Sequence, residues 1–220
     1  MKNKKTIVIV SGGMDSITVL YDAVDRGYDV EALSFNYGSN HNNKELPLAK
    51  WHCEKLNIKH TIIDLPLSKY FNSSLLEGAD KIPEGHYEDE NMKSTVIPFR
   101  NGIMLSFAIG YAENIGAKYV MLGSHKGDHA VYPDCRKTFT KSISLAGQLG
   151  TYNEVQVISP FNDLMKWDIV KRGIELDVDY SKTWSCYKGN DIPCGKCGTC
   201  VERLEAFEKA NTKDPLKYDN

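Results

Sequence analysis

Long apolar runs are missing from this sequence of 220 residues. No stretch approaches the roughly 18 apolar residues that a membrane-spanning helix needs, so no membrane partner is expected. The basic opening MKNKK leads into the short run IVIV, which SGGMDS breaks before the core of an export signal develops. An excess of either charge is missing too. The 27 basic and 29 acidic residues leave a net charge of −2 with neutral histidines, and the pI is about 6.3. A nucleic-acid binder usually carries a basic face, so the expected partner is a small molecule and not a nucleic acid. Internal repeats and low-complexity segments are absent. With 41 % hydrophobic and 25 % charged residues, the chain is not a disordered, collagen-like or coiled-coil protein. What is left is a cytoplasmic globular chain able to bury about 70 % of its extended surface around one core.

Apolar β-rich runs alternate with helical patterns. Strands are expected at Thr6–Val10, Val30–Phe35, Lys59–Asp64, Lys118–Leu122 and Val155–Ile158. Helices are expected at Ser16–Arg26, Asn43–Leu56, Asn101–Asn114, Phe139–Leu149, Asp163–Glu175 and Val201–Ala210. Such alternation implies βαβ units and an α/β fold with a parallel sheet. The stretch Leu65–Pro98 carries Pro66, Gly78, Pro83 and Gly85 and reads as a long excursion or mobile lid.

Strand TIVIV runs directly into Ser11-Gly12-Gly13-Met14-Asp15-Ser16 and then a helix. Ligands of parallel sheets sit at the carboxyl ends of strands, and helix N-termini attract anions. The two glycines let backbone N–H groups approach phosphate oxygens, and Ser11 and Ser16 add hydroxyl donors. Bare phosphate would repel Asp15, which therefore fits as a helix cap or beside Mg²⁺. The loop lacks the GK[ST] ending of a Walker A motif and is not GxGxxG.

Of six cysteines, Cys53 falls mid-helix as a small core residue and Cys135 in a loop; Cys186, Cys194, Cys197 and Cys200 cluster near the end. Seven, two and two residues separate these four. A CxxCxxC run with a fourth, earlier cysteine suits tetrahedral sulfur ligation of a structural Zn²⁺. Lys188, Lys196 and Arg203 stand near enough in sequence to offset the thiolate charge. An iron–sulfur cluster uses similar runs, although the ferredoxin signature has its fourth Cys and a Pro downstream.

Three middle motifs carry further polar groups: Ile97-Pro98-Phe99-Arg100-Asn101, Gly123-Ser124-His125, and Asp128-His129-Ala130-Val131-Tyr132-Pro133-Asp134-Cys135-Arg136. His125, Asp128 and His129 allow a metal site. Converging Asp, Arg and backbone groups at a strand end suit a polar heterocycle better.

SGGMDS resembles the PP-loop of the N-type ATP pyrophosphatases, which cleave ATP between the α- and β-phosphates. The whole set resembles the 7-cyano-7-deazaguanine synthase family of queuosine and archaeosine biosynthesis. The resemblance rests on SGGMDS, FNYG at Phe35–Gly38 with His41, PFRN, GAKYVMLGSH, GDHAVYPDCR, Lys166 in KWDIV, and TWSCY leading into CGKCGTC. It implies a Rossmann-like (HUP-type) parallel sheet flanked by helices, with a PP-loop domain at 1–180 and a four-Cys zinc-binding lobe at 181–220. It also implies a homodimer. The implied reaction activates 7-carboxy-7-deazaguanine with Mg²⁺-bound ATP, forms an amide with ammonia, and dehydrates it to the nitrile, releasing AMP and pyrophosphate. Ser11, Asp15, Ser16 and Lys166 would be catalytic. Ser11, Gly12, Gly13, Met14, Asp15, Ser16, Phe35, Arg100 and Gly123 would bind ATP. Tyr37, His41, Arg100, Asn101, His125, Asp128, Tyr132, Asp134 and Arg136 would bind the substrate. Two departures stand out: Ser39-Asn40 where the family usually has Gln-Arg, and Lys137-Thr138 where it has Pro-Glu. The alternatives are a relative that stops at the amide or passes the acyl group to another amine, a PP-loop tRNA-thiolating enzyme, and a non-enzymatic nucleotide-binding zinc module.

Overall fold

The computed structural model describes residues 4–78 and 81–219. Five strands, β1 (Lys5–Ile9), β2 (Asp29–Asn36), β3 (His60–Asp64), β4 (Tyr119–Met121) and β5 (Gln156–Ile158), form one sheet in the order β3-β2-β1-β4-β5. Every neighbouring pair is parallel. The central strands β1 and β4 and the middle of β2 are buried on both faces, which is why they read as largely apolar runs, whereas the edge strand β3 is only partly covered.

Alternation along β1 divides the core. Val8 packs with Ile17 and Leu20 of α1 (Met14–Asp25), Ile169 and Val170 of α5 (Lys166–Glu175), and Ala206 and Phe207 of α6 (Gly198–Lys209). Ala49 and Cys53 of α2 (Asn42–Lys55) join the same layer. Ile7 faces the opposite layer with Leu105 and Ala108 of α3 (Arg100–Asn114), onto which α4 (Lys137–Gly150) packs. Two ionic clamps secure the first layer. Asp22 of α1 takes Arg172 Nε of α5 at 2.9 Å. Arg203, fully buried in α6, holds Asp214 through two nitrogens at 2.8 and 3.1 Å. Arg203 therefore neutralises Asp214 rather than the cysteines.

Helix α5 starts at Lys166 and not at Asp163: residues 161–164 form turns, and Asp168 Oδ2 accepts from the Met165 N–H as the helix begins. The described part of the Leu65–Pro98 excursion is packed, not loose. It buries Leu75, Leu76, Met92 and Thr95, and antiparallel bridges pair Ser39 with Leu76 and Glu84 with Cys197. No helix among the described residues is long and apolar enough to cross a membrane.

The strand order reverses direction between β1 and β4, and the crevice beyond their carboxyl ends is where such a sheet takes a ligand.

Candidate active site

Ser11–Gly13 leave β1 at that crevice. Ser11 Oγ accepts from the Gly13 N–H at 3.1 Å, and Ser16 Oγ accepts from the Ser11 N–H at 3.1 Å while donating to the Gly13 carbonyl at 3.0 Å. The loop is thus tied to the first turn of α1, whose leading N–H groups have no partner within the helix. Gly12 has φ +102°, and a Cβ there would overlap the carbonyl oxygen of Glu45 in α2. A Cβ on Gly123, after β4, would lie 2.8 Å from the Ser16 nitrogen. Both glycines are required by close backbone approach. On the far side, the Trp184 N–H donates to the Gly12 carbonyl at 3.0 Å.

The site's cations come from helix starts. Lys166, the first residue of α5 and 7 % exposed, sets Nζ 3.1 Å from Asp15 Oδ2 and 2.7 Å from Glu202 Oε2 of α6. Burial pulls the Lys166 pKa down, but Asp15 and Glu202 more than reverse this and raise it. The other oxygen of Asp15, Oδ1, is buried without a hydrogen-bond partner. Arg100 opens α3 after Phe99, whose φ of 56° is a left-handed conformation costing about 1–2 kcal/mol. Its guanidinium donates to the Tyr37 hydroxyl at 3.2 Å.

These groups line one cavity of about 220 Å³. Of the residues marked in the sequence, Ser11, Gly13, Met14, Asp15, Ser16, Tyr37, His41, Arg100, Asn101, Gly123, Asp128, Tyr132 and Lys166 line it. Gly12, Phe35, His125, Asp134 and Arg136 do not, and each has another position. Gly12 backs onto α2. Phe35 is in the core beside Phe107. His125 Nδ1 accepts from the Gly127 N–H at 3.1 Å, while Asp128 Oδ2 accepts from the His125 N–H at 2.9 Å. Asp134 Oδ2 accepts from the Asn101 N–H at 2.8 Å and so caps the start of α3. Arg136, exposed, donates Nε to the His129 carbonyl at 3.2 Å.

The cavity also takes in Glu45, Tyr87, Cys135, Trp184 and Tyr187. Glu45 carried one usable signal, its i,i+4 spacing from His41 at the start of a helix. Glu202 carried none, since VERLEAFEK reads as an ordinary helix with a solvated face. Cys135 accepts from Asn101 Nδ2 at 3.1 Å, and burial keeps its thiol well above the usual range.

The Sγ atoms of Cys186, Cys194, Cys197 and Cys200 all lie within 4.8 Å of one another, and all four residues are buried. Backbone N–H groups of Cys194 and Cys197 donate to Cys186 Sγ at 3.4 Å and Cys194 Sγ at 3.3 Å. Zn–S bonds of about 2.3 Å put tetrahedral thiolates close to 4 Å apart, so the cluster can hold one ion. It stands two residues from Trp184 and starts α6, the helix that carries Glu202.

A parallel sheet in this order, with a Gly-rich loop at the crevice beside β1, defines an α/β protein of the PP-loop (HUP) fold. Two solved structures share the fold: the U34-tRNA thiolase NcsA from Methanococcus maripaludis with its [4Fe-4S] cluster, and NMN synthetase from Francisella tularensis. The first is 14 % identical with a TM-score of 0.52, covering 95 % of this chain and 68 % of that one. The second is 16 % identical with a TM-score of 0.52, covering 96 % and 79 %. The family model of the queuosine biosynthesis protein QueC matches residues 5–211. Proteins named 7-cyano-7-deazaguanine synthase from Porphyromonas gingivalis and Hahella chejuensis are 49 and 51 % identical over 219 and 217 residues, covering 99 and 98 % of this chain and 99 and 94 % of theirs. One from Methanoregula boonei is 49 % identical, covering 98 % of this chain and 99 % of its own. The chain belongs to the QueC family, and it is an enzyme.

Proposed function

We propose that this enzyme converts 7-carboxy-7-deazaguanine and ammonia to 7-cyano-7-deazaguanine. ATP activates the carboxylate as an acyl-adenylate, ammonia displaces AMP, and a second adenylation dehydrates the amide. A carboxylate is a poor electrophile, and AMP supplies the leaving group it lacks. The protein's task is then positioning and charge neutralisation around pyrophosphate. The observation that carries the proposal is the meeting of the SGGMDS loop, Lys166 and Arg100 in one cavity beyond β1 and β4.

Ser11, Gly12, Gly13, Met14, Asp15 and Ser16 take the pyrophosphate end of ATP, with Gly123 and Phe35 behind the nucleotide. Lys166 and Arg100 neutralise phosphate charge. Tyr37, His41, Asn101, His125, Asp128, Tyr132, Asp134 and Arg136 make up the substrate side, directly or by shaping its loops. The unpartnered, buried Asp15 Oδ1 fits a Mg²⁺ ion, which would bind there and supply further neutralisation. Residues 1–180 supply most of this chemistry, and 181–220 hold zinc and add Trp184 and Tyr187 to the cavity wall. The close spacing of the sulfurs supports one Zn²⁺ ion over an iron–sulfur cube, which spreads its thiolates more widely. Free thiols of this kind suit the reducing cytoplasm. The tRNA-thiolating alternative needs a reactive cysteine in the cavity, and Cys135 is a buried thiol there.

The expected products of ATP are AMP and pyrophosphate, and Asp15→Ala should lower kcat at least about 100-fold, the scale of one lost electrostatic contact in a transition state. A helix cap alone would cost only about 1 kcal/mol of stability and leave kcat intact. Substrate-dependent ADP release, followed by chromatography of the nucleotides, would overturn the proposal.

Asp134→Asn separates capping from recognition. Asn keeps an oxygen for the Asn101 N–H, so Tm should move by no more than about 3 °C. If the lost charge reads donors of the substrate's guanine-like edge, KM for the acid rises about ten- to a hundredfold. An unchanged KM removes Asp134 from substrate binding.

A homodimer is supported by α4, where Leu145 and Leu149 lie one turn apart, with Tyr152 following; they are 55, 81 and 101 % exposed. Leu149→Glu should shift the mass in light scattering from dimer to monomer. A wild-type monomer at micromolar concentration would rule the dimer out.

A further inference from the structure

Making a nitrile from an acyl-adenylate strips every proton from nitrogen. One proton leaves as ammonium becomes ammonia, one as the amide forms, and two as the amide is dehydrated. Each needs a base within reach. Most groups in the cavity cannot serve. Burial would lower the pKa values of Lys166 and Arg100, but their neighbours raise both, so they remain cations. Burial pushes up Tyr37, Tyr87, Tyr132 and Tyr187, which stay phenols. Asp15 and Glu202 face Lys166. Asp128 accepts from the Tyr87 hydroxyl at 3.0 Å and from the His125 N–H.

Glu45 is the carboxyl left over. It sits in the first turn of α2 and lines the cavity, with its side chain 12 % exposed. Its position is held by the phosphate loop: a Cβ on Gly12 would overlap its carbonyl oxygen, and one on Gly13 would lie 3.5 Å from Oε1. No described hydrogen bond occupies the carboxyl. His41 Nε2 lies 3.6 Å from Oε2, and the His41 ring packs 5.4 Å from that of Tyr187. Burial raises the Glu45 pKa to about 8, with Arg100 pulling the other way. Arg100, His41 and Tyr37 are the ionisable groups facing it.

We propose that Glu45 is the general base of this site, taking the nitrogen's protons, with the His41 ring lying beside its carboxyl. The proposal rests on the function proposed above. In the first half, the Glu45 carboxylate takes a proton from ammonium. The freed ammonia forms the C–N bond as the C–O bond to AMP breaks, its electron pair leaving on AMP. Glu45, emptied to water, takes the surplus N–H proton. In the second half the amide oxygen attacks the α-phosphorus of a second ATP, and pyrophosphate leaves with its electron pair. Glu45, emptied to water again before each transfer, takes one N–H proton as the O-adenylated imidate forms. It takes the last as that N–H pair becomes the third C–N bond and AMP departs.

The test uses purified full-length wild type, Glu45→Gln and Glu45→Asp, with matched metal content and Tm. Starting from the synthetic amide, Mg²⁺ and ATP, Glu45→Gln should lower kcat for nitrile formation about 100-fold or more, while KM for ATP moves less than about threefold, the size of a minor contact. The wild-type rate should rise with pH through about 8, as the carboxylate forms. That inflection should vanish in Glu45→Gln and return, with part of the rate, in Glu45→Asp. With the acid as substrate, hydroxylamine, a nucleophile already neutral at pH 7, should rescue Glu45→Gln relative to ammonium. Wild-type kinetics and pH profile in Glu45→Gln, or equal losses with ammonium and hydroxylamine, overturn the proposal. A wild type that yields no AMP from the acid overturns the function itself, and the base with it.

Discussion

Replacing Cys197 with Ser should cost about 4–5 kcal/mol and lower Tm by about 10–15 °C, because metal binding and folding of such a cluster are one event. Activity should fall with it. Cys197 caps α6, and that helix carries Glu202 to 2.7 Å from Lys166. Ahead of the cluster, Trp184 donates to the Gly12 carbonyl of the phosphate loop. The cage therefore braces the site from two sides without touching its chemistry. Elemental measurement should find one zinc per chain in the wild type, and a chelator applied during mild heating should reproduce the variant's loss. Metal-free wild-type protein with an unchanged melting curve would refute this, as would a brown iron chromophore.

Lys166→Met should lower kcat/KM about 10²–10³-fold, the scale of losing one preorganised charge in a water-poor site. Met fills a similar volume, so packing survives and the charge alone is removed. What remains is Asp15 and Glu202, two carboxylates without their shared cation, at a cost of about 3–5 kcal/mol. Lys166→Arg keeps the charge, but its planar fork cannot bridge the same two oxygens, so it should regain stability before activity. The sign of the pH effect is set by the raised Lys166 pKa. Its stabilisation is fully present below the ordinary lysine range and is lost only as pH rises through the higher folded value. Without Lys166 the Glu202 carboxyl, already raised by burial, rises further. The wild-type-to-Lys166→Met gap in denaturation between pH 6 and 9 should thus hold or widen with rising pH, and a gap that closes toward pH 9 would exclude the ion pair as its cause.

The central strands were legible because burial on both faces demands apolar runs, and the interposed helices left little choice but parallel pairing. Helix limits were less so: Asp163 looks like a cap, yet the chain turns until Met165 because Asp168 reaches back to its N–H. The expected lid at Leu65–Pro98 packs instead, since Leu75, Leu76 and Met92 find core positions that local composition does not report.

By itself the sequence determined the parallel α/β fold, the SGGMDS anion loop and the four-cysteine cage. Each of these is written in contiguous residues, whose own turns, glycines and ligand spacing decide the local geometry. Tertiary structure alone decided which distant groups meet them. Glu202 is largely shielded because α6 returns across α5 to face Lys166. Asp134 faces the Asn101 N–H, 33 residues away, and Glu45 backs onto Gly12 because α2 packs against the loop. The charge of a buried carboxyl depends on those neighbours, and neighbours across the fold leave no periodic mark in the chain.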